Sequence, residues 1–138
     1  MRQLTAAVLL ACTVAGAALA ADLSFEYGRP GELKGVRKVF ISVGPEITIH
    51  NQMAEHLERE LPGLKVTDHS EDGEVVIAIV PDTDPDITHF VVYRPLADGK
   101  ARLLFELKAT PSRMHSFKPH MRFARMFVDE YRKANRTP

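Results

Sequence analysis

Three short runs of strand-forming residues, all within residues 73–109, constrain the fold of this chain more than any other feature. Residues 75–80 are six consecutive apolar residues, most of them β-branched, between a glycine-containing turn and Pro81. A run that is too short for a stable helix and rich in stiff side chains is typical of a strand covered on both faces. Residues 90–93 have the same character and are followed by Pro95, where proline stops ladder pairing.

The third run, residues 102–108, alternates between apolar and charged side chains. This period of two predicts a half-exposed strand near the edge of the sheet. Its apolar face would carry Leu103, Phe105 and Leu107, and its other face Arg102, Glu106 and Lys108. Between the second and third runs, Asp98-Gly99 supplies residues that tolerate positive φ, so the two strands are expected to form an antiparallel hairpin.

Two amphipathic helices are expected to flank these strands. The first opens at Gly44-Pro45, since proline suits a first helical turn, and ends at Pro62-Gly63. Its apolar stripe comprises Ile49, Met53, Ala54, Leu57 and Leu61. The second has Pro119 in its first turn and basic residues in its last. Its inward side chains would be Phe123, Ala124, Phe127, Val128, Tyr131 and Ala134.

The resulting fold class is α/β, in the two-layer α+β sense, with one mixed sheet and two helices on one face. The element order is β-α-β-β-β-β-α, with residues 36–43 as the first core strand and 64–67 as a short second one. Residues 21–35 form a lead-in segment with at most one short strand, and residues 36–138 form a single domain. The composition, 45% hydrophobic and 26% charged over 138 residues, is ordinary for one globular domain.

Residues 1–20 have the parts of a secretory signal peptide. Arg2 gives a positive start, an alanine-rich apolar run follows, and Ala18-Leu19-Ala20 is a small-x-small cleavage site. The chain is therefore expected to be exported, to the periplasm or the exterior, with no transmembrane segment after cleavage. The single cysteine, Cys12, lies within this segment; its surroundings match a lipoprotein box only loosely, so lipid attachment there is not predicted. A mature chain without cysteine has no disulfide and no thiolate chemistry.

Several segments resemble a group of uncharacterised secreted bacterial proteins. They are YG at 27–28, ELKGV at 32–36, VFI at 39–41, EDGEVVI at 71–77 and FVDEYRKAN at 127–135. The element order is also similar to the small α/β modules of bacterial envelope assembly proteins, such as the amino-terminal domain of the Tol-system translocation protein. The resemblance implies an exported envelope protein, but it carries no catalytic residues that could be transferred.

Metal and cofactor chemistry is not predicted. Asp82, Asp84 and Asp86 alternate like the opening of a calcium loop, but Ile87 and Tyr93 stand where that motif needs glycine and glutamate. Six residues apart on one helix, His50 and His56 point about 120° away from each other and cannot share an ion. His50 and His120 fall on apolar helix faces, where a partly buried imidazole bonded to a carbonyl or carboxylate is the usual arrangement.

A catalytic site cannot be named from the residues either. His115 and His120 straddle the start of the last helix, and Ser112 and Ser116 lie near His115. The chain has no Gly-x-Ser-x-Gly elbow and no glycine-rich phosphate loop after a strand. A small hydrolase with an unidentified site near His115 and His120 remains the alternative function.

The most distinctive surface feature is a separation of charge along the chain. Residues 55–86 contain ten acidic residues against two basic ones, and residues 108–136 contain eight basic residues against two acidic ones. On the last helix six cations fall within roughly 100° of arc, opposite the phenylalanines. We call these the basic face: Lys118, Arg122, Arg125, Arg132, Lys133 and Arg136.

The basic face has two interpretations. It could bind an anionic partner, such as lipid headgroups, cell-wall phosphates or an acidic protein surface. Alternatively it is a solvated helix face, or one that pairs with the protein's own acidic segments, and the residues by themselves favour this second interpretation. The sequence favours a non-catalytic binding or assembly module of the bacterial cell envelope over an enzyme. The partner would be an anionic envelope component or an envelope protein. Nucleic acid is not expected, because the chain is exported and its formal net charge is zero. The oligomeric state is not predicted.

Overall fold

The computed structural model describes residues 23–45, 47–110 and 118–136. Its six strands are β1 (Ser24–Tyr27), β2 (Lys38–Ser42), β3 (Lys65–Thr67), β4 (Val75–Pro81), β5 (Thr88–Pro95) and β6 (Lys100–Ala109). Its two α-helices are α1 (Ile47–Glu60) and α2 (Pro119–Ala134). Short 3-10 turns occupy Pro30–Leu33 and Ser70–Asp72. The predicted fold class, one mixed sheet with two helices, is confirmed.

All six strands belong to one sheet in the order β1-β6-β5-β4-β2-β3. The β4–β5 and β5–β6 pairs are antiparallel, and the β1–β6, β2–β4 and β2–β3 pairs are parallel. The predicted hairpin is present, because Asp98 and Gly99 both adopt positive φ, 62° and 71°, as a tight hairpin turn requires. Strand β6 is second from the edge, as its alternating pattern indicated, because β1 from the lead-in segment pairs outside it.

The helices cover one face of the sheet and form the main core with it. Met53 and Leu57 of α1 and Phe123 and Phe127 of α2 are completely buried against this face. The ring of Phe123 lies 5.6 Å from that of Phe90 and 5.5 Å from that of Phe105, within the range of favourable aromatic contacts. The predicted apolar stripes of both helices are therefore correct.

The predicted facing of β6 is wrong for Leu103. A β-bulge interrupts the β5–β6 ladder, where Val92 pairs with Phe105 but the next residue, Tyr93, pairs with Leu103. The extra residue, Leu104, is buried in the helix-side core together with Phe105, whereas Leu103 packs on the opposite face. A bulge inserts one residue into one strand and thereby reverses the alternation beyond it, which strict period-two reasoning cannot anticipate.

The lead-in segment is tied to the sheet by a cluster of charges. The guanidinium of Arg102 donates to both carboxylate oxygens of Glu32, at 2.6 and 3.0 Å, and to Glu26 at 3.0 Å. Arg94 donates to the backbone carbonyl of Glu32 at 2.8 Å. Directly after Glu32, Leu33 is completely buried in the helix-side core. These contacts hold β1 and the first 3-10 turn against β6.

Two of the segments that carry the family resemblance contact each other. The Tyr131 hydroxyl donates to the carbonyl of Val36 at 2.6 Å, and the Asn135 amide accepts from the backbone N–H of Gly35 at 2.9 Å. Asn135 also donates to the carbonyl of Leu33 at 3.3 Å. The end of α2 is thus bound to the lead-in turn. The resembling residues therefore have structural roles at this contact.

Candidate binding site in the helix layer

All six residues of the basic face are exposed on the outer side of α2, away from the sheet. The reason is the helix period. The inward positions of the helix are taken by Phe123, Ala124, Phe127 and Val128. The cations lie on the opposite side of the helix and therefore point outward. The arc of cations that the sequence predicted is therefore present on the surface; whether it binds a partner remains a prediction.

Part of the basic face pairs with the protein's own carboxylates. The Arg132 guanidinium donates to the carbonyl of Glu60 at 3.1 Å and to its carboxylate at 3.2 Å, which joins the ends of the two helices. Lys133 contacts Glu130 at 3.5 Å, one turn back on the same helix. Lys118, Arg125 and Arg136 form no ion pair with any residue in the described part of the chain.

Helix α1 adds to this positive surface. Between the two helices lies a groove of about 220 Å³. We call it the interhelix groove; it is lined by Gln52, Glu55, His56, Arg59, Lys118 and Met121. Arg59 lies 3.3 Å from the His56 ring, and its closest carboxylates, Glu55 and Glu60, are 3.9 and 3.6 Å away on an exposed surface. Exposed ion pairs of this length contribute little to stability, so the Arg59 guanidinium remains available to bind another anion.

The pKa of His56 is lowered mainly by burial, and nearby charges of both signs act on it. Burial lowers the pKa of His56, Glu60 raises it in part, and the guanidinium groups of Arg59, Arg125 and Arg132 lower it further. Cations lower a histidine pKa because they disfavour a second positive charge nearby. Arginines from both helices thus lie near His56, together with the carboxylate of Glu60, and Lys118 adds a further cation to the lining of the groove.

The alternative site near His115 and His120 is only partly within the described residues, since His115, Ser112 and Ser116 lie outside them. His120 is 8% exposed, and its Nε2 lies 2.7 Å from the amide oxygen of Gln52 on α1. A buried imidazole bonded to a carbonyl agrees with the structural role that its position on the apolar face indicated. This contact does not favour the hydrolase alternative.

The acidic loop after β4 uses its carboxylates internally. Asp82 accepts from the backbone N–H of Asp84 at 3.0 Å, and Asp84 accepts from that of Asp86 at 2.9 Å. The second oxygen of Asp82 lies 2.5 Å from His89 Nε2, and His89 Nδ1 lies 3.2 Å from Glu106. Within the described ranges no three histidine, cysteine or acidic residues are arranged to hold a metal ion.

Sequence reasoning missed two of these groupings. His56 and Arg59 lie on α1, about sixty residues before α2, and only the packing of the helices brings them to the basic face. Their spacing of three residues does place them on one side of α1, which is the only signal that could have linked them. The Asp82–His89–Glu106 cluster could have been anticipated from the hairpin register, which places Glu106 diagonally across from His89.

No protein-family model matches the sequence, and no curated protein shows significant similarity to it. Among solved structures, the solution structure of the uncharacterized lipoprotein B from Nitrosomonas europaea is similar over 72% of this chain and 80% of its own. The sequence identity is 17% and the TM-score is 0.29. A TM-score of this size does not establish a shared fold, so no conclusion about this chain rests on the similarity. The comparisons show no link to the Tol-system translocation protein.

Neither helix in the part of the chain that the structure describes is long and apolar enough to cross a membrane. The predicted signal peptide, the lipoprotein alternative at Cys12 and the export that depends on them fall within residues 1–22, outside the described ranges.

Proposed function

We propose that this protein is an exported, non-catalytic binding or assembly module of the bacterial cell envelope, and that it binds an anionic envelope partner through the helix layer. The observation that carries the proposal is the convergence of cations from two helices. Lys118 of α2 and Arg59 of α1 both line the interhelix groove. Arg125 of the basic face is near enough to His56, which also lines the groove, to contribute to the lowering of its pKa, whose main cause is burial. A concentration of exposed charge of one sign attracts ligands of the opposite sign.

The chemistry of the groove supports a ligand with phosphate or carboxylate groups. Guanidinium groups bind such anions through parallel hydrogen bonds, and lysine adds a point charge. The groove is shallow and contains Glu55, so it suits contact with an extended charged surface more than enclosure of a small molecule. Anionic lipid headgroups, cell-wall polymers and acidic protein surfaces share this chemistry.

The test compares two double variants that change net charge by the same amount. The first, Lys118→Glu with Arg125→Glu, reverses two cations of the helix layer that form no ion pair within the described residues. The control, Lys34→Glu with Lys100→Glu, reverses two exposed lysines outside the helices. The chain without residues 1–20 and both variants are titrated separately against phosphatidylglycerol vesicles, a purified anionic cell-wall polymer and solubilised envelope proteins. The bound fraction is measured by sedimentation.

We expect binding to at least one of these anionic probes, with the first variant weakened roughly thirtyfold or more, since each surface cation contributes about 1 kcal/mol near an anionic membrane. The control should bind within about threefold of the unmodified protein, and added salt should weaken binding in all cases because it screens exposed charges. Equal losses in the two variants would show a nonspecific charge effect. Binding to none of the three probes would refute the anionic-partner proposal.

A further inference from the structure

The imidazole of His56 and the guanidinium of Arg59 are hydrogen-bonded to each other in the interhelix groove. Arg59 Nη2 lies 3.3 Å from His56 Nδ1, and both residues line the groove. A guanidinium has only N–H donors and no acceptor, so the ring nitrogen that receives this hydrogen bond has no proton of its own. In this arrangement His56 is therefore neutral, with its single proton on Nε2.

The groups that surround His56 carry charges of both signs. Among the described residues they are Glu55, Arg59 and Glu60 on its own helix and Lys118, Arg125 and Arg132 on α2. Four cations thus stand against two carboxylates. Burial and the three arginines lower the pKa of His56 from its ordinary value of 6.5, and Glu60 opposes them. A negative charge that enters the groove would act in the opposite direction, because it stabilises the imidazolium.

Gln52 adds a neutral donor to the groove. Its amide oxygen lies 2.7 Å from Nε2 of the buried His120. An amide oxygen can only accept, so His120 donates this hydrogen bond, and the amide nitrogen is the polar group that Gln52 can offer to a ligand. Amide, guanidinium and ammonium donors therefore line the groove from two helices. Such a donor set suits a phosphate group, whose oxygens point in several directions.

We propose that the interhelix groove binds a phosphodiester group and that His56 takes up a proton from the solvent when it does so, which makes binding tighter in mildly acidic surroundings. This inference rests on the proposed function, since it requires the helix layer to bind an anion. The bound phosphate accepts hydrogen bonds from the Arg59 guanidinium, which leaves Nδ1 of His56 free to be protonated. His56 thereby changes from an acceptor of Arg59 into a further cation of the site.

The direction of the pH dependence follows from linkage. A bound anion favours the charged imidazolium, so the pKa of His56 is higher in the complex than in the free protein. By reciprocity, protonation of His56 strengthens the binding of the anion. The affinity therefore rises as the pH falls through the pKa of His56 in the complex. The gain is complete below the pKa of His56 in the free protein, which is lower than 6.5.

The test uses phosphatidylglycerol, because its phosphodiester keeps one negative charge across the range in which histidine titrates, about pH 5 to 8. The chain without residues 1–20 is titrated at both ends of this range and at constant ionic strength. One arm uses phosphatidylglycerol vesicles and sedimentation, and the other uses the soluble headgroup glycerophosphoglycerol and calorimetry. We expect about three- to tenfold tighter binding at the lower pH, which corresponds to a rise in the His56 pKa of about half a unit to one unit. Binding in the vesicle arm alone would identify a lipid surface as the ligand, and binding in both arms would identify the phosphodiester group itself.

Two histidine variants assign the pH dependence to one side chain. His56→Gln should lose most of the difference between the two values of pH, because an amide does not titrate. The matched control His50→Gln lies six residues earlier on α1 and points about 120° away, so it should keep the difference. Calorimetry in buffers of different ionisation enthalpy should show proton uptake on binding, and less of it in His56→Gln. Circular dichroism checks that both variants fold.

A second measurement needs no ligand. Nitrogen-detected NMR of the free chain should show neutral His56 as the Nε2–H tautomer, and Arg59→Gln should raise the pKa of His56 because it removes a nearby cation. A neutral ring with its proton on Nδ1 would overturn the inference. Equal binding at both values of pH, or an undiminished pH dependence in His56→Gln, would overturn it and leave the proposed function intact. Absence of binding in both arms at both values of pH would refute it together with phosphate binding by the groove.

Discussion

At the scale of single residues, the cluster around Arg102 decides whether the lead-in segment stays on the sheet. Glu32 accepts two hydrogen bonds from the Arg102 guanidinium, whereas the more exposed Glu26 accepts one. The Arg102 hydrogen bonds are the main reason why the pKa of Glu32 is lowered. A bidentate ion pair of this kind is stronger and better oriented than an ordinary surface ion pair.

Replacement Glu32→Gln should therefore lower the free energy of unfolding by about 1–2 kcal/mol, because the neutral amide keeps the shape but loses the charge and one acceptor. Chemical denaturation measures the change. The matched variant Glu26→Gln, which removes a single exposed contact, should change the free energy by less than about 0.5 kcal/mol. Equal effects in the two variants would mean that Glu32 does not anchor the segment.

A second residue-scale prediction concerns Asp82. The hydrogen bond from the backbone N–H of Asp84 and then that from His89 lower the pKa of Asp82 from 3.8 to about 2. Because the pKa is lower in the folded state, the stabilisation is complete above about pH 4 and is lost as the pH falls from about 4 to about 2. Carboxyl-detected NMR should show Asp82 titrating near the lower value.

The variant His89→Gln should raise the pKa of Asp82, but not fully to its ordinary value, since the Asp84 hydrogen bond remains. His69→Gln, which alters an exposed histidine away from this loop, is the control and should leave the Asp82 titration unchanged. An unchanged titration in His89→Gln would contradict the role assigned to the imidazole.

At the scale of elements, the approach of β4 to β2 depends on Gly73. A Cβ atom at this position would lie 2.7 Å from the Cβ of Phe40 and 3.0 Å from its backbone nitrogen. Its φ of −72° is ordinary, so the requirement for glycine is one of space and not of backbone conformation. A backbone atom cannot rotate away, so any side chain must separate the two strands.

Replacement Gly73→Ala should accordingly destabilise the fold by about 1–3 kcal/mol, the usual cost of forcing an atom into a packed site. At Gly63, in the turn after α1, an added Cβ would meet no heavy atom within 4 Å, and the backbone has no positive φ. Gly63→Ala should therefore be neutral or stabilise by up to about 1 kcal/mol, through the unfolded state. Thermal unfolding of both variants checks the contrast, and equal stability would show that β2 and β4 can separate freely.

Sequence periodicity predicted the facing of the helices correctly and the facing of one strand only in part. Helix periodicity predicted the buried residues of α1 and α2, because one stripe of each helix must face the core wherever the helix lies. Strand alternation predicted β6 but misplaced Leu103, because the bulge at Leu104 arises in the pairing of β6 with β5. A single inserted residue has no signature in a local pattern.

At the scale of the whole molecule, the two layers of the fold differ in surface character. The basic face and the interhelix groove belong to the helices. The face of the sheet opposite the helices carries a second apolar cluster, which includes Val76, Ala78 and Val91. Charge reversal at Lys118 and Arg125 therefore tests the helix layer alone.

The sequence by itself determined the strand and helix segments, the one mixed sheet and the arc of cations on α2, because these follow from local periodicity. The sequence also showed that β4 and β5 carry apolar residues on both faces, but it did not show what covers the second face. Only the tertiary structure decided that Arg59 and His56 lie beside the basic face, that β1 extends the sheet beyond β6, and that Asp82, His89 and Glu106 meet at one end of the sheet. These features depend on contacts between residues far apart in the chain, and such contacts are settled by packing, which no local pattern encodes.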